Sequence, residues 1–504
     1  MSDRQVADAL RSSAPLVLVE APAGCGKTYQ GAQYAKDLLA GLSSGRLLIL
    51  THTNAACDVF AQRTKGLGGR VDIRTIDSLI IQIAGAYHRA LDLPADVTTW
   101  ARQQGESGFN ELAVKVARLL ARSPAISASL AARYPYIICD EHQDSSEAQN
   151  DVIMSIHRAG ALLRIFGDPM QAIYGGPKER KAAARRWEAL QAAAQLRVAL
   201  STPHRWKEAP ELGEWILEAR SALKAGKAID LRRELPSGLT LIRADNTAVR
   251  YGQYTLPRSE RQPIDTFVQN AQGLFVLTPT NDLARGLNAF FGRRLPIWEG
   301  HTRDALWRLA QACREHKGDP DAIAAAFIVF VQTVATGFDS KYADVLRREV
   351  AERCCSRRSQ KPAKIQELAR LIVDCPDHRG VARALERLKT FVLTDTSFAD
   401  IKLDLRREYG EASRLARYED AEKGLAELNL LRSLSRTVPP TKMISTVHKA
   451  KGLETESVLL VPCDRGNFAN TEGKRRLLYV AISRATKSLA LVLPRHSPSP
   501  LFIV

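Results

Sequence analysis

The chain lacks any apolar run long enough to cross a membrane. Its longest, Ala322–Val331, stops at Gln332, well short of the ~20 residues a span requires, and reads as a buried helix. No export signal is legible, because Asp3 and Glu20 bracket the first apolar stretch, and a cytoplasmic location is expected. Low-complexity tracts are missing too, so folding throughout is expected. Cysteine is sparse, 8 in 504 residues, which excludes a disulfide framework. The best metal-binding arrangement would join Cys313 and His316, Cys354 and Cys355, and Cys375 and His378. It contains no C-x-x-C, and two adjacent cysteines on an expected helix point to different faces, so buried free thiols are the better reading.

Acidic residues are also in short supply. Asp and Glu number 55 against 72 Lys and Arg, giving a net charge of +17 and a pI near 9.6. That balance favours a polyanionic partner, with nucleic acid the leading candidate. A chain of 504 residues also exceeds what a single core usually organises, so several domains are expected.

What is present is concentrated chemistry. The apolar run Leu16–Val19 leads into "EAPAGCGKTYQ", a strand feeding a glycine loop that opens a helix near Lys27. Ala21, Pro22, Ala23, Gly24, Cys25 and Gly26 would cradle a phosphate chain, Gly24 and Gly26 letting successive backbone N–H groups turn inward, with Tyr29 just beyond the loop as a further nucleotide contact. Lys27 would reach the outer phosphates and the Thr28 hydroxyl would ligate Mg²⁺. The strict pattern wants glycine where Ala21 stands.

"YIICDEHQDSS" places a buried strand, Tyr136–Cys139, immediately before Asp140 and Glu141. Carboxylates at a strand's carboxyl end share the crevice that parallel α/β sheets use for ligands. Asp140 is placed to hold Mg²⁺ through water, and Glu141 to activate the water that attacks a γ-phosphate. Asp144 and the two serines are expected to cap the next helix. A further strand ends at Asp168, with Gln171 close by as a candidate γ-phosphate sensor.

Taken in order, these segments resemble superfamily 1 helicases of the UvrD/Rep type. Gln5 resembles the adenine-reading Q motif. "APAGCGKT", "THTNAAC", "RTIDSL", "DEHQDSS", "FGDPMQAIYGG", "STPHRW", "STVHKAKGLETE" and "RRLLYVAISRA" resemble motifs I, Ia, Ib, II, III, IV, V and VI. The resemblance implies an α/β fold of two RecA-like P-loop domains with helical insertions. The first would span 1–200 with a short insertion at 82–132, and the second 201–504 with an insertion at about 300–436. Strand candidates at Leu239–Ile242, Leu274–Leu277, Lys442–Val447, Ser457–Val461 and Ser488–Leu493 agree with a second sheet.

By resemblance, ATP and Mg²⁺ are the cofactors. Arg205 and Arg484 would act as arginine fingers, Gln143 would link the γ-phosphate to the second domain, and Glu454 would contact the ribose. His52, Thr53, Asn54, Thr75, Ser78, Tyr174, Thr446 and His448 would face DNA, either single-stranded or a tailed duplex. Three departures stand out. His52 replaces a stacking phenylalanine and could carry charge. Gly175, Gly176 and Pro177 follow Tyr174 where the family has tryptophan and arginine. His204 stands at the position of an adenine-covering tyrosine. The implied activity is ATP-dependent 3′ to 5′ helicase movement. The alternative is a nucleotide-gated DNA-binding ATPase that signals to a partner nuclease, as in the helicase-like subunit of the Gabija antiphage system. A kinase or GTPase would not need the paired arginine motifs.

Overall fold

The computed structural model describes every residue except 1–2, 67–68, 105–106, 301–302 and 435–437. The expected insertion end near residue 436 therefore lies outside the described residues. Two compact units are present: Met1–Asn281 with Thr446–Val504, and Asp282–Ser445.

In the first unit, β1 (Leu16–Glu20), β2 (Leu47–Thr51), β3 (Val71–Thr75), β4 (Tyr136–Cys139), β5 (Leu162–Gly167) and β6 (Leu196–Ala199) form a parallel sheet. Its order is β3-β2-β4-β5-β1-β6. Alternation along each strand covers both faces. Leu16, Leu18, Leu48 and Leu50 enter one core, while Val17, Val19, Leu47 and Ile49 enter the other. Because β5 lies between β1 and β4, the residues leaving all three carboxyl ends meet at one edge.

Arg164 on β5 is buried, yet its guanidinium is fully employed. Nε donates to Leu10 O at 2.8 Å, Nη1 to Ala14 O at 2.8 Å and Nη2 to Ser12 O at 2.7 Å. The planar fork thus satisfies carbonyls at the end of the helix Asp3–Arg11, which carries Gln5, and ties that helix to the sheet.

The remaining strands among the described residues are, in chain order, β7 (Ile229–Asp230), β8 (Leu239–Arg243), β9 (Leu274–Thr278), β10 (Ala335–Thr336), β11 (Lys402–Leu403), β12 (Lys442–Thr446), β13 (Thr455–Leu460), β14 (Ala485–Leu493) and β15 (Phe502–Ile503). Within the first unit, β9, β13, β14 and β8 pair in parallel as a second sheet, with β7 and β15 pairing separately.

The second unit is mainly helical. Pro320–Val334 is the buried helix its apolar run announces, packed in one core with Leu306, Tyr342, Leu385 and Phe398. The expected helix under the cysteine pair is not there. Ser340–Ala351 ends earlier, and Cys354 sits in the left-handed region at φ 57°. In that cluster Cys313 and Cys354 are buried as expected. Contrary to that expectation, Cys355 is exposed and Cys375 half-buried.

Candidate nucleotide and nucleic-acid site

The glycine loop between β1 and the helix Lys27–Gly41 turns through two left-handed residues, Gly24 at φ 72° and Gly26 at φ 80°. Both conformations suit glycine. Space forbids a side chain as well: a Cβ on Gly24 would lie 2.7 Å from Arg205 Cβ and 2.7 Å from the Trp206 ring. A Cβ on Gly26 would lie 3.1 Å from His204 Cδ2. Arg205 N donates to Gly24 O at 3.0 Å, and Ala23 N donates to Tyr479 Oη at 2.8 Å. Ala21, Pro22, Ala23 and Cys25 are buried beneath the turn, whereas Tyr29 is exposed.

Lys27 Nζ reaches both carboxylates beyond β4, pairing with Glu141 Oε1 and lying 3.4 Å from Asp140 Oδ1. Burial opposes the charge on Lys27, but the two carboxylates outweigh it and its pKa is raised. Asp140 is pushed up to about 6, by burial first and with Lys27 opposing. For Glu141, burial is outweighed by Lys27 and Lys451, and the carboxyl is held ionised well below its ordinary range. Glu141 also adopts φ 53°, a left-handed conformation uncommon outside glycine. Asp140 is a buried carboxylate and Thr28 a hydroxyl, both oxygen donors of the kind a hard cation such as Mg²⁺ takes.

Gln143 joins this edge to the next strand. Its amide donates to Glu141 Oε2, and its Oε1 accepts from Asp168 N at 3.1 Å. Asp168 is buried and accepts from Gln171 Nε2 at 3.1 Å and from Arg220 Nη2 at 2.7 Å. Arg220 also holds Glu20 at 2.6 Å. The expected capping is corrected in two of its three members. Ser146 does cap the helix Glu147–Arg158, in a reciprocal box with Gln149. Asp144 instead turns to Lys451 Nζ at 2.6 Å, and Ser145 bonds His52 and His142.

Arg205 pairs with Glu454 at 2.6 Å and donates to Ser483 O at 2.7 Å, so Glu454 is engaged by an arginine beside the glycine loop. Arg484 is buried, donating to Val480 O at 3.0 Å and to Leu453 O at 3.3 Å. Burial, then the neighbouring Arg205, bring its pKa down to about 10. His204 Nε2 lies 2.5 Å from Asp3 Oδ2, on the helix whose exposed face bears Gln5.

The residues expected to meet DNA divide into two kinds. Thr53 and Thr75 cap the helices Asn54–Arg63 and Ile76–Ala86, accepting from Ala56 N and Ser78 N. Asn54 and Ser78 are exposed beside them. Tyr174 is exposed, with its ring 6.4 Å from His448 and Lys451 Nζ 4.7 Å from its centroid. Thr446 is buried, and its hydroxyl accepts from Lys449 N at 3.4 Å rather than facing an open surface. The charge expected on His52 is corrected: burial, reinforced by His142, pushes its pKa down to about 3, so the ring is neutral. After Tyr174 the chain passes Gly175 at φ 77° straight into the helix Pro177–Ala193, so no second aromatic follows.

Sequence reasoning missed Lys451, Tyr479 and Arg220. Lys451 lies within "HKAKGLE" and Tyr479 within "LLYVAISRA", segments already singled out. Only their distance from the phosphate loop in sequence hid them. Arg220, midway along the amphipathic helix Pro210–Lys224, carries no local signal.

The comparisons with known proteins fall on the same segments. The UvrD/REP helicase N-terminal domain matches residues 95–176, taking in Asp140, Glu141, Asp168 and Gln171. The UvrD-like helicase C-terminal domain matches residues 443–492, taking in His448, Glu454 and Arg484. No curated protein matches the chain. UvrD-like helicase domains are two RecA-like α/β cores, in keeping with the two parallel sheets, and the two matches support a UvrD/Rep-type helicase.

Proposed function

We propose that this chain is a cytoplasmic ATP-dependent translocase that moves 3′ to 5′ on single-stranded DNA and unwinds duplex from a 3′ tail. The carrying observation is the Lys27, Asp140 and Glu141 constellation at one sheet edge, tied through Gln143 to Asp168. The two RecA-like domains would span 1–200 and 201–504, the latter with the helical segment of the second unit inserted. In this reading Lys27 leaves its carboxylates for the outer phosphates of ATP. Thr28 and Asp140 would hold Mg²⁺, which would supply charge neutralisation at the phosphates. Glu141 Oε accepts the proton of the attacking water, and Gln143 keeps that carboxylate aimed. Arg205 and Arg484 neutralise charge on the γ-phosphate once Arg205 exchanges Glu454 for it, with Gln171 reporting the phosphate. Gln5 and His204 flank the adenine. The exposed turns at Thr53–Asn54 and Thr75–Ser78, with Tyr174 and His448, carry the strand.

The test is ATP hydrolysis with and without single-stranded DNA, beside displacement of a 3′-tailed duplex. Stimulated hydrolysis is expected, with Glu141→Gln lowering turnover by about 10²- to 10⁴-fold. Wild-type turnover in that variant would overturn the assignment. One observation favours a second reading, a DNA-gated ATPase signalling to a partner nuclease: the passage from Tyr174 through Gly175 directly into a helix leaves one aromatic ring where base stacking would want more. Stimulated hydrolysis without strand displacement would select it.

A further inference from the structure

Two segments leave the carboxyl ends of the paired strands β2 and β3, one the turn at His52–Asn54 and one at Thr75–Ser78, where β3 passes into the helix Ile76–Ala86. Each is hydrogen-bonded to the segment that directly follows the catalytic carboxylates. His52 Nε2 lies 3.0 Å from Ser145 Oγ, Ser145 Oγ lies 3.2 Å from His142 Nδ1, and His142 Nε2 lies 3.0 Å from Asn150 Oδ1. From the second turn, Asp77 Oδ1 accepts from Gln149 Nε2 at 2.7 Å.

The chain is built into the interior. His142 is 1% exposed and Ser145 3%. With the carbonyl of Asn150 accepting, each imidazole offers one donor and one acceptor, so donation runs one way: His52 to Ser145, Ser145 to His142, His142 to Asn150. Rotating the Asn150 amide would reverse every link together, so the chain holds one direction at a time. The segment is short and stiff. His142–Asp144 is a single turn of 3₁₀ helix joined directly to Glu141, and Ser146 with Gln149 locks the following helix start.

We propose that His142, Ser145 and Gln149 form a positioning relay, transmitting the seating of a DNA strand at the two turns to the carboxylate of Glu141. None of the three is required to touch ATP or DNA. They act through Glu141, where a displacement of a fraction of an ångström alters the approach of water. The relay rests on the DNA-stimulated hydrolysis proposed above, and two discrete links at two turns give it a physical path rather than mere proximity.

The experiment measures turnover at saturating ATP, without DNA and with saturating oligo-deoxythymidine, for the wild type, Ser145→Ala and Ser145→Thr. Ser145→Ala is expected to keep DNA-free turnover within about twofold while its stimulation by DNA falls about five- to tenfold, the weight of one buried hydrogen bond. Ser145→Thr, which keeps the hydroxyl, should restore stimulation. Unchanged stimulation in Ser145→Ala overturns the relay. So does equal loss in Ser145→Thr, or a parallel fall of DNA-free and DNA-stimulated turnover, which would mark a merely structural serine. A wild-type chain that hydrolyses ATP without any response to DNA would remove the functional reading first, and the relay with it.

Discussion

At the scale of single residues, the nucleotide edge is governed by how charges share a buried space. Asp140, pushed up to about 6 by burial, has a folded-state pKa above its ordinary value. Protonation therefore sets in as pH falls through about 6, and a protonated carboxyl does not hold a hard cation. Mg²⁺-dependent nucleotide binding is expected to be full at pH 7.5 and to weaken about tenfold per pH unit below 6; titration of Mg²⁺ with a fluorescent ATP analogue would read this, and a flat profile down to pH 5 would contradict it. Tyr479, buried and accepting from Ala23 N, supports the glycine loop without being needed for the chemistry. Tyr479→Phe leaves that N–H unpaired, and the expected result is KM for ATP raised about three- to tenfold with kcat little changed. Of this edge, Asp140 and Glu141 were legible in the sequence because they directly follow an apolar strand, and Lys27 because a glycine loop joins it to another. Arg220 and the pairing of Asp144 with Lys451 were not, since partners brought together by sheet order leave no trace in local spacing.

At the scale of elements, the strands were read more surely than their surroundings. Tyr136–Cys139 has the boundaries expected of it, and Leu239, Leu274 and Lys442 begin their strands where apolar runs begin. Uninterrupted apolar runs are unambiguous when both faces of a parallel sheet are buried. The cysteine pair misled because helical composition continues past Ala351 while the backbone reverses at Arg353 and Cys354, both at positive φ. Helix starts are where side-chain oxygens carry measurable weight. Thr75 accepts from Ser78 N, and Thr75→Ala is expected to cost about 1 kcal/mol, seen as a lowered denaturation midpoint at unchanged slope. Ser146, in a capping box, should cost at least as much on replacement by alanine.

Over the whole molecule, the +17 charge sets how any DNA contact responds to salt. The logarithm of DNA affinity should fall linearly with the logarithm of salt concentration, with a slope near −0.7 for each phosphate neutralised on a single strand. A response below one phosphate would sink the nucleic-acid reading. The second unit has a core of its own, with Phe327, Phe330 and Tyr342 fully buried. Phe327→Ala should cost about 3 to 5 kcal/mol of stability there.

The grip of Arg164 on Leu10, Ser12 and Ala14 has a consequence for fidelity. The helix that carries Gln5 and Asp3, beside His204, is held in place by the guanidinium of a residue on β5. Lysine at that position keeps the charge but cannot bond three carbonyls arrayed in a fork. On the proposed reading of adenine by Gln5 and His204, Arg164→Lys is expected to lower the discrimination of ATP from GTP although it changes neither residue. The ratio of kcat/KM for the two nucleotides would register it, making purine discrimination a property of how the amino-terminal helix is fastened.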